Sequence, residues 1–202
     1  GYANVLDMTG VREPDIYGDY STNKYNNFCD MGAWHGYYLH PQDATDAYGV
    51  FAGPVIFAEE YPVNLSECIG KWVITGTDGT AYDLADAAAT VNAYPGKLVQ
   101  GYELEDIDLK LELIFASDRT ALIRTTIDNK TDEALELNLK QTGSIFDSYD
   151  AYGSPSGTSL EATEDGVAVN FQTIREIWSY MTTEENRFNI RFAQPVTTEV
   201  SE

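Results

Sequence analysis

Residues 106–117 read DIDLKLELIFAS, and apolar and polar side chains alternate from Asp106 to Leu113. The apolar set consists of Ile107, Leu109, Leu111, Leu113 and Phe115, and the polar set consists of Asp108, Lys110 and Glu112. A period of two places one set on the buried face of a strand and the other set in solvent. The stretch therefore predicts a long β-strand that covers a hydrophobic core with one face.

Two further strands are predicted directly after this one. Residues 117–120 have the composition of a turn, and apolar residues alternate again over residues 121–127. Residues 128–132 have the composition of a second turn, after which Leu135, Leu137 and Leu139 alternate with polar residues. The pattern predicts a three-stranded antiparallel meander.

The same signal recurs along the rest of the chain. Hairpins are predicted at residues 72–84 and 160–173, and single strands at residues 96–105 and 186–194. Only residues 83–94 offer room for a helical turn, and residues 175–182 are ambiguous between strand and helix. About ten to twelve short strands at regular spacing indicate an all-β fold. We expect a single domain over residues 1–202, a large antiparallel two-sheet β-sandwich of the supersandwich kind.

The charge balance narrows the classes of partner. The chain has 12 Lys and Arg residues and 33 Asp and Glu residues, which gives a formal net charge of −21. Such a surface repels phosphate backbones and anionic lipid headgroups. No apolar run is long enough to span a bilayer. We therefore expect no nucleic-acid and no membrane partner, and a neutral carbohydrate or another protein remains.

Residues for independent catalysis or metal binding are scarce. The two histidines, His35 and His40, are five residues apart, and on a strand this odd spacing sends their side chains to opposite faces. Glu59 and Glu60 are adjacent, so an extended backbone points them apart, whereas glycoside hydrolysis needs two facing carboxyl groups. We predict no metal site, no cofactor and no complete active site.

The two cysteines, Cys29 and Cys68, match no metal-binding spacing. One disulfide and two buried free thiols both remain open for this pair, and the thiols are favoured because cysteine is among the most buried residue types.

Several stretches, in colinear order, resemble one family. They are YANVLDMTG (2–10), FCDMGAWHGYYLHP (28–41), GPVIFAEEYPVNL (53–65), WVITGTDGT (72–80), YPGKLVQGYEL (94–104), LELIFASDRTALIRTTIDNKT (111–131) and PVTTEV (195–200). The chain resembles the N-terminal β-sandwich domain of bacterial glucosidases of glycoside hydrolase family 63, which are similar to mannosyl-oligosaccharide glucosidase. In such enzymes a barrel of paired α-helices follows the sandwich and carries the catalytic acid and base of an inverting α-glucosidase-type reaction.

The resemblance implies a non-catalytic domain that packs on its own C-terminal helical barrel and shapes the mouth of the barrel for an oligosaccharide. No catalytic carboxylate is carried over to this chain, which is expected to be inactive alone. A free-standing carbohydrate-binding module is the alternative. Without the barrel, the face of this domain that would contact it is exposed, so self-association of the isolated domain through that face is also expected. A periplasmic or otherwise exported bacterial location is expected as well.

The aromatic loop at residues 28–40 is the candidate site for either role. Tryptophan and tyrosine offer flat apolar faces to sugar C–H groups and a polar edge to hydroxyls. In the alternative interpretation, Phe28, Met31 and Trp34 simply fill the core of the sandwich. The candidate residues for sugar binding or for the domain interface are Asp30, Trp34, His35, Tyr37 and Tyr38.

Overall fold

The computed structural model describes residues 2–10, 27–57, 63–146, 148–149, 154–155, 158–172 and 185–201. This part of the chain contains no α-helix, and its two 3-10 turns are Thr45–Ala47 and Leu84–Asp86. The strands are β1 (His35–Tyr38), β2 (Ala52–Ile56), β3 (Val63–Asn64), β4 (Ile69–Gly76), β5 (Ala81–Tyr82), β6 (Ala88–Tyr94), β7 (Lys97–Glu103), β8 (Ile107–Ser117), β9 (Thr120–Asn129), β10 (Leu137–Gly143), β11 (Ser148–Tyr149), β12 (Ser154–Pro155), β13 (Ser159–Thr163), β14 (Gly166–Gln172) and β15 (Glu185–Arg191). The predicted all-β sandwich fold is confirmed.

All strand pairs are antiparallel, and the described strands form five hydrogen-bonded sheets. Their orders are β6-β7-β8-β9, β10-β4-β5, β1-β2-β3, β13-β14-β15 and β11-β12. The sheet β6-β7-β8-β9 faces β4, because the Trp72 indole N–H on β4 donates to the Thr125 hydroxyl on β9 at 3.2 Å. The main core lies between the sheet β6-β7-β8-β9, Ile74 of β4 and buried side chains of the segment from Phe28 to Phe51.

Strand β8 supplies the centre of this core, as its alternating sequence predicts. Ile107, Leu109, Leu111 and Leu113 are each at most 1% exposed. Burying each of these side chains contributes about 1.5–3 kcal/mol relative to exposure. The β8–β9 hairpin closes with Ser117 opposite Thr120, so the first predicted turn is confirmed.

The predicted partner of the third strand of the meander is wrong. Strand β10 pairs with β4 over Leu137–Gly76 to Gly143–Ile69, and not with β9. After β9 the chain turns at Asn129, whose side-chain amide N–H donates to the Glu133 carbonyl at 2.7 Å. The Thr77 N–H then donates to the Glu136 carbonyl at 3.0 Å, which directs the chain onto the second sheet.

Most of the other local predictions are confirmed. The β4–β5 hairpin closes where the Gly76 N–H donates to the Thr80 carbonyl at 2.7 Å, and β13 and β14 meet at Thr163 and Gly166. Residues 83–94 begin with a 3-10 turn that Asp83 caps at 2.9 Å, but the remainder is strand β6. The ambiguous segment 175–182 and the pair Glu59 and Glu60 lie outside the described residues.

Candidate functional site

The aromatic loop begins as a small antiparallel bridge. The Phe28 N–H donates to the Tyr37 carbonyl at 2.7 Å, and the Tyr37 N–H returns a bond to the Phe28 carbonyl at 3.0 Å. Between these residues the chain reverses at Met31 and Gly32, which have φ values of 57° and 69°. The Asp30 side chain accepts a bond from the Met31 N–H at 2.7 Å, and this bond favours the turn.

Trp34 leaves this turn with its backbone fixed and its side chain in solvent. Its N–H donates to the Asp118 carbonyl in the β8–β9 turn at 3.2 Å, and its carbonyl accepts from the Phe57 N–H at 2.8 Å. The residue is 58% exposed, so Trp34 does not fill the core of the described domain. An exposed indole on a fixed backbone is suited to flat contact with a second body.

Asp30 lies close to the turn that joins β6 to β7. Its Oδ2 atom lies 3.6 Å from the position that a Cβ would occupy at Gly96, between β6 and β7. In an antiparallel sheet of four consecutive strands, the first and third turns lie at the same end. Asp30 and Trp34 therefore lie at one end of the sheet β6-β7-β8-β9, and the carboxylate of Asp30 is exposed.

The N-terminal segment reaches the same end. The Asn4 N–H donates to the Ala93 carbonyl at 2.7 Å, and the Asn4 side-chain carbonyl accepts from the Ala93 N–H at 2.7 Å. We call residues 2–6 and 29–34 with the turns at residues 95–96 and 118–119 the turn-end surface. It carries five of the most exposed hydrophobic side chains, Tyr2 (88%), Val5 (75%), Leu6 (58%), Met31 (60%) and Trp34 (58%).

His35 and Tyr37 point into the protein from the other face of β1. The His35 ring lies 5.3 Å from Phe115, 5.5 Å from Phe188 and 5.6 Å from Tyr37, measured between ring centroids. Its Nδ1 lies 3.2 Å from the Tyr37 hydroxyl, and within the described residues its Nε2 has no hydrogen-bond partner. Burial lowers the pKa of His35, and the Arg119 backbone opposes this effect. Burial also raises the pKa of Tyr37.

Tyr38 is 2% exposed and is buried as well. The structure thus brings Asp30 and Trp34 together at the surface, and it places His35, Tyr37 and Tyr38 beneath them in the protein interior. The ring of His40 packs against different aromatic rings, those of Tyr48 and Tyr102. The two histidines therefore do not face a common point.

Sequence reasoning missed part of the turn-end surface. Tyr2, Val5 and Leu6 carry no periodic pattern, so nothing in their order indicated exposure beside the aromatic loop. Met31 is 60% exposed although the alternative interpretation placed it in the core. Its positive φ value explains the difference, because the turn directs its side chain outward.

Other chemistry is limited in the described residues. They contain no group of three or more His, Cys, Asp and Glu side chains that could hold a metal ion. Within the same residues no helix is long and apolar enough to cross a membrane. Cys29 and Cys68 are both free, and Cys68 is half-buried. Cys29 is exposed, contrary to the expected burial, because it lies on the surface loop with its thiol 3.2 Å from the Ala33 carbonyl.

The fold and the turn-end surface together define an all-β sandwich domain that presents an exposed aromatic loop beside an apolar patch. Its sequence matches one family over nearly its whole length. The family model described as "Glucosidase YgjK, N-terminal" matches residues 7–202, and the chain belongs to this family. It is thus an N-terminal domain of the glucosidase type.

Proposed function

We propose that this chain is the non-catalytic N-terminal domain of an α-glucosidase-type enzyme of glycoside hydrolase family 63. In this proposal the domain packs on a downstream catalytic barrel of paired α-helices and shapes the sugar-binding mouth of that barrel. The glucosidase family supports the general role. The resemblance of residues 28–41, 53–65 and 94–104 to family 63 glucosidases supports the finer assignment, including the likeness to mannosyl-oligosaccharide glucosidases.

The turn-end surface is the proposed contact with the barrel and the sugar. Single exposed hydrophobic residues are ordinary on protein surfaces, but a group of large ones marks an interaction site. Tyr2, Val5 and Leu6 supply apolar area for a protein contact, whereas Trp34 supplies a flat ring for a pyranose face. The exposed Asp30 carboxylate is positioned to accept hydrogen bonds from sugar hydroxyls.

His35, Tyr37 and Tyr38 take a supporting role in this proposal. They are buried, so they do not reach a ligand on the surface of the described domain. The ring of His35 packs on Phe115, which precedes the β8–β9 turn, and that turn binds the Trp34 backbone. These side chains therefore hold strand β1, which directly follows Trp34.

The observation that carries the proposal is the exposed Trp34 ring on a backbone that two hydrogen bonds fix. The test uses the parent enzyme with its downstream domain and compares it with the variant Trp34→Ala. We expect KM for an α-linked glucose oligosaccharide to rise about 2- to 12-fold, since a stacked aromatic contact contributes about 0.5–1.5 kcal/mol.

The matched control is Leu139→Ala, which removes another exposed hydrophobic side chain, 51% exposed, from β10 on the other sheet. We expect its KM to equal that of the unchanged enzyme. Equal KM values for both variants would contradict sugar contact at Trp34. Hydrolysis of α-glucosides by the 202-residue chain alone would contradict the non-catalytic role.

A free-standing carbohydrate-binding module is the second candidate, because Trp34 is already exposed in this chain without a partner. It requires measurable affinity of the isolated domain for a saccharide. Titration calorimetry with gluco- and galacto-oligosaccharides distinguishes the two roles. Heat that saturates with the ligand, and that Trp34→Ala removes, favours the binding module.

We also propose a periplasmic or otherwise exported location for the parent enzyme. The acidic composition of the chain and its role in binding sugars support this location. Fractionation of the source cells with an antibody against the domain tests it. Recovery of the protein with cytoplasmic markers alone would contradict the proposal.

A further inference from the structure

A chain of hydrogen-bonding groups runs through His40 in the interior of the protein. Its Nδ1 lies 2.7 Å from the Pro41 carbonyl, and its Nε2 lies 2.6 Å from the Tyr102 hydroxyl. That hydroxyl lies 2.7 Å from Oε1 of Gln100, and Nε2 of Gln100 lies 2.9 Å from the Val50 carbonyl. The four contacts link the segment between β1 and β2 to strand β7.

The side chains of this hydrogen-bonded chain are sealed in the core, and only the contact with the Pro41 carbonyl is part-buried. His40 is 1% exposed, and Tyr102 and Gln100 are 0% exposed. Buried polar groups in proteins are almost always hydrogen-bonded, and a buried group without a partner costs about 1–3 kcal/mol. Each of the four contacts therefore needs its own hydrogen.

The neutral side chains supply only three of these hydrogens. Both ends of the chain are backbone carbonyls, which only accept. The Gln100 amide donates one hydrogen to Val50, and the Tyr102 hydroxyl has one to give. A neutral imidazole carries one N–H, so either Pro41 or Tyr102 receives it, but not both. The Tyr102 hydroxyl keeps its hydrogen, since burial raises its pKa.

The other tautomer of His40 and the flipped amide of Gln100 change which contact lacks a hydrogen, but one contact still lacks it. When Nε2 of His40 carries the hydrogen, Nδ1 and the Pro41 carbonyl are two acceptors 2.7 Å apart. When Nδ1 carries it and Tyr102 donates to His40, the missing hydrogen lies between Tyr102 and Gln100. Flipping the side-chain amide of Gln100 lets its NH2 group donate to Tyr102. The amide oxygen then faces the Val50 carbonyl oxygen, so this contact joins two acceptors. One contact in four always lacks a hydrogen.

We propose that His40 is a buried proton-linked switch, in which uptake of a proton by the neutral imidazole completes all four contacts. The imidazolium then donates to both Pro41 and Tyr102, Tyr102 donates to Gln100, and Gln100 donates to Val50. The switch ties the segment between β1 and β2 to β7 more tightly in acid. On loss of the proton, one of the contacts opens.

The surroundings of His40 set the balance of this switch. The titratable groups packed on its ring are Tyr48 and Tyr102, whose ring centroids lie 4.9 Å and 6.0 Å away. Burial lowers the pKa of His40, and the Pro41 carbonyl opposes this effect. The aromatic rings and the net charge of −21 also favour a cation at this position.

The test is a pH titration of the full 202-residue chain by NMR, with 15N in the histidine rings. The sequence contains only two histidines, so the spectrum holds two sets of ring signals. Between about pH 8 and pH 4, we expect His40 to change from one protonated ring nitrogen to two while the protein stays folded. The Val50 carbonyl and Gln100 side-chain amide signals should shift with the same midpoint.

His35 is the internal control, because among the described residues its Nε2 has no partner within hydrogen-bond distance and burial is the dominant influence on its pKa, which it lowers, so a second proton would complete no chain. It should remain neutral as long as the protein is folded. A folded protein in which His40 stays neutral throughout would overturn the proposal. A His40 titration that leaves the Val50 and Gln100 signals unchanged would overturn it as well.

Two variants test whether the coupled pH response needs the chain of hydrogen bonds or only the aromatic rings around His40. Tyr102→Phe removes the hydroxyl that joins His40 to Gln100, so the Val50 and Gln100 signals should lose their pH dependence. Tyr48→Phe is the matched control, since the Tyr48 hydroxyl donates to the Gln42 carbonyl at 2.7 Å, outside the chain. It should keep the coupled transition, and identical behaviour of both variants would overturn the proposal.

Discussion

At the residue scale, Glu112 is the most strongly paired carboxylate among the described residues. It lies on the outer face of β8 with its side chain only 6% exposed, and it accepts from Lys97 at 2.9 Å. Lys110 lies 3.2 Å away, and Arg124 donates through both Nε and a terminal nitrogen. These three cations hold the pKa of Glu112 down to about 2. The cluster joins β7, β8 and β9 from outside the core.

We predict that Glu112→Gln lowers the free energy of unfolding by about 1–3 kcal/mol at pH 7, because three cations lose one shared carboxylate. The native pKa of Glu112 is below its unfolded value of 4.5, so the unfolded chain binds more protons between these values. The stability from this carboxylate is complete above about pH 4.5 and falls towards pH 2. Urea unfolding at several pH values should show the difference between the two proteins shrinking over this window.

Glu161→Gln is the control for this prediction. Glu161 pairs with Arg187 at 2.8 Å, but its side chain is 53% exposed, and exposed pairs contribute little to stability. We expect its unfolding free energy to stay close to that of the unchanged protein. Equal losses in the two variants would show that enclosure by three cations adds nothing.

The candidate site shows what a residue pattern can predict. The composition of residues 28–40 predicted an aromatic loop, but His35–Tyr38 is the buried strand β1, and Trp34 is exposed while the adjacent His35 is buried. This difference depends on the bonds of Trp34 to Asp118 and Phe57, both distant in sequence. The sequence order carries no signal for such contacts. The roles of the five candidate residues stay predictions.

At the scale of elements, strands were predictable and their partners were less so. The period of two in β8 identified its buried face, because alternation is a local property of the chain. The partner of β10 is not local, since it depends on a turn at Asn129 and on contact with β4. Consecutive strands pair in only about two-thirds of cases, and this strand is one of the exceptions.

The pairing of β14 with β15 leads to a prediction about a single glycine. Gly166 begins β14 opposite Arg191, and a Cβ at this position would overlap the Ile190 carbonyl oxygen. We predict that Gly166→Ala shifts β15 and lowers the free energy of unfolding by about 2–4 kcal/mol. Gly32→Ala meets no atom within 4 Å and has only the cost of φ at 69°, about 1–2 kcal/mol. Denaturant unfolding should rank the two variants in this order, and the opposite order would contradict the prediction.

At the scale of the whole molecule, the regularly spaced strand patterns and turns correctly indicated an all-β fold. They did not indicate which surface is apolar, because the turn-end surface joins parts of the chain that are far apart in sequence. Asn4 meets Ala93, and Trp34 meets Asp118, so four separate segments come together at one end of the sheet. The extent of the domain, residues 1–202, stays a prediction.

The turn-end surface also predicts how the isolated chain behaves in solution. If a downstream barrel covers it in the parent enzyme, the isolated domain exposes Trp34, Val5 and their neighbours to water, and apolar burial favours association. The net charge of −21 opposes association by repulsion between copies, and salt screens this repulsion. We therefore expect dimers that grow with protein concentration and are more abundant at about 0.5 M salt than at about 0.02 M. Sedimentation of Val5→Asp should show less association, while Leu139→Asp, which adds the same charge on the other sheet, should reduce it less. A monomer at every salt and protein concentration would mean that this patch is too small to bind a partner by apolar contact alone.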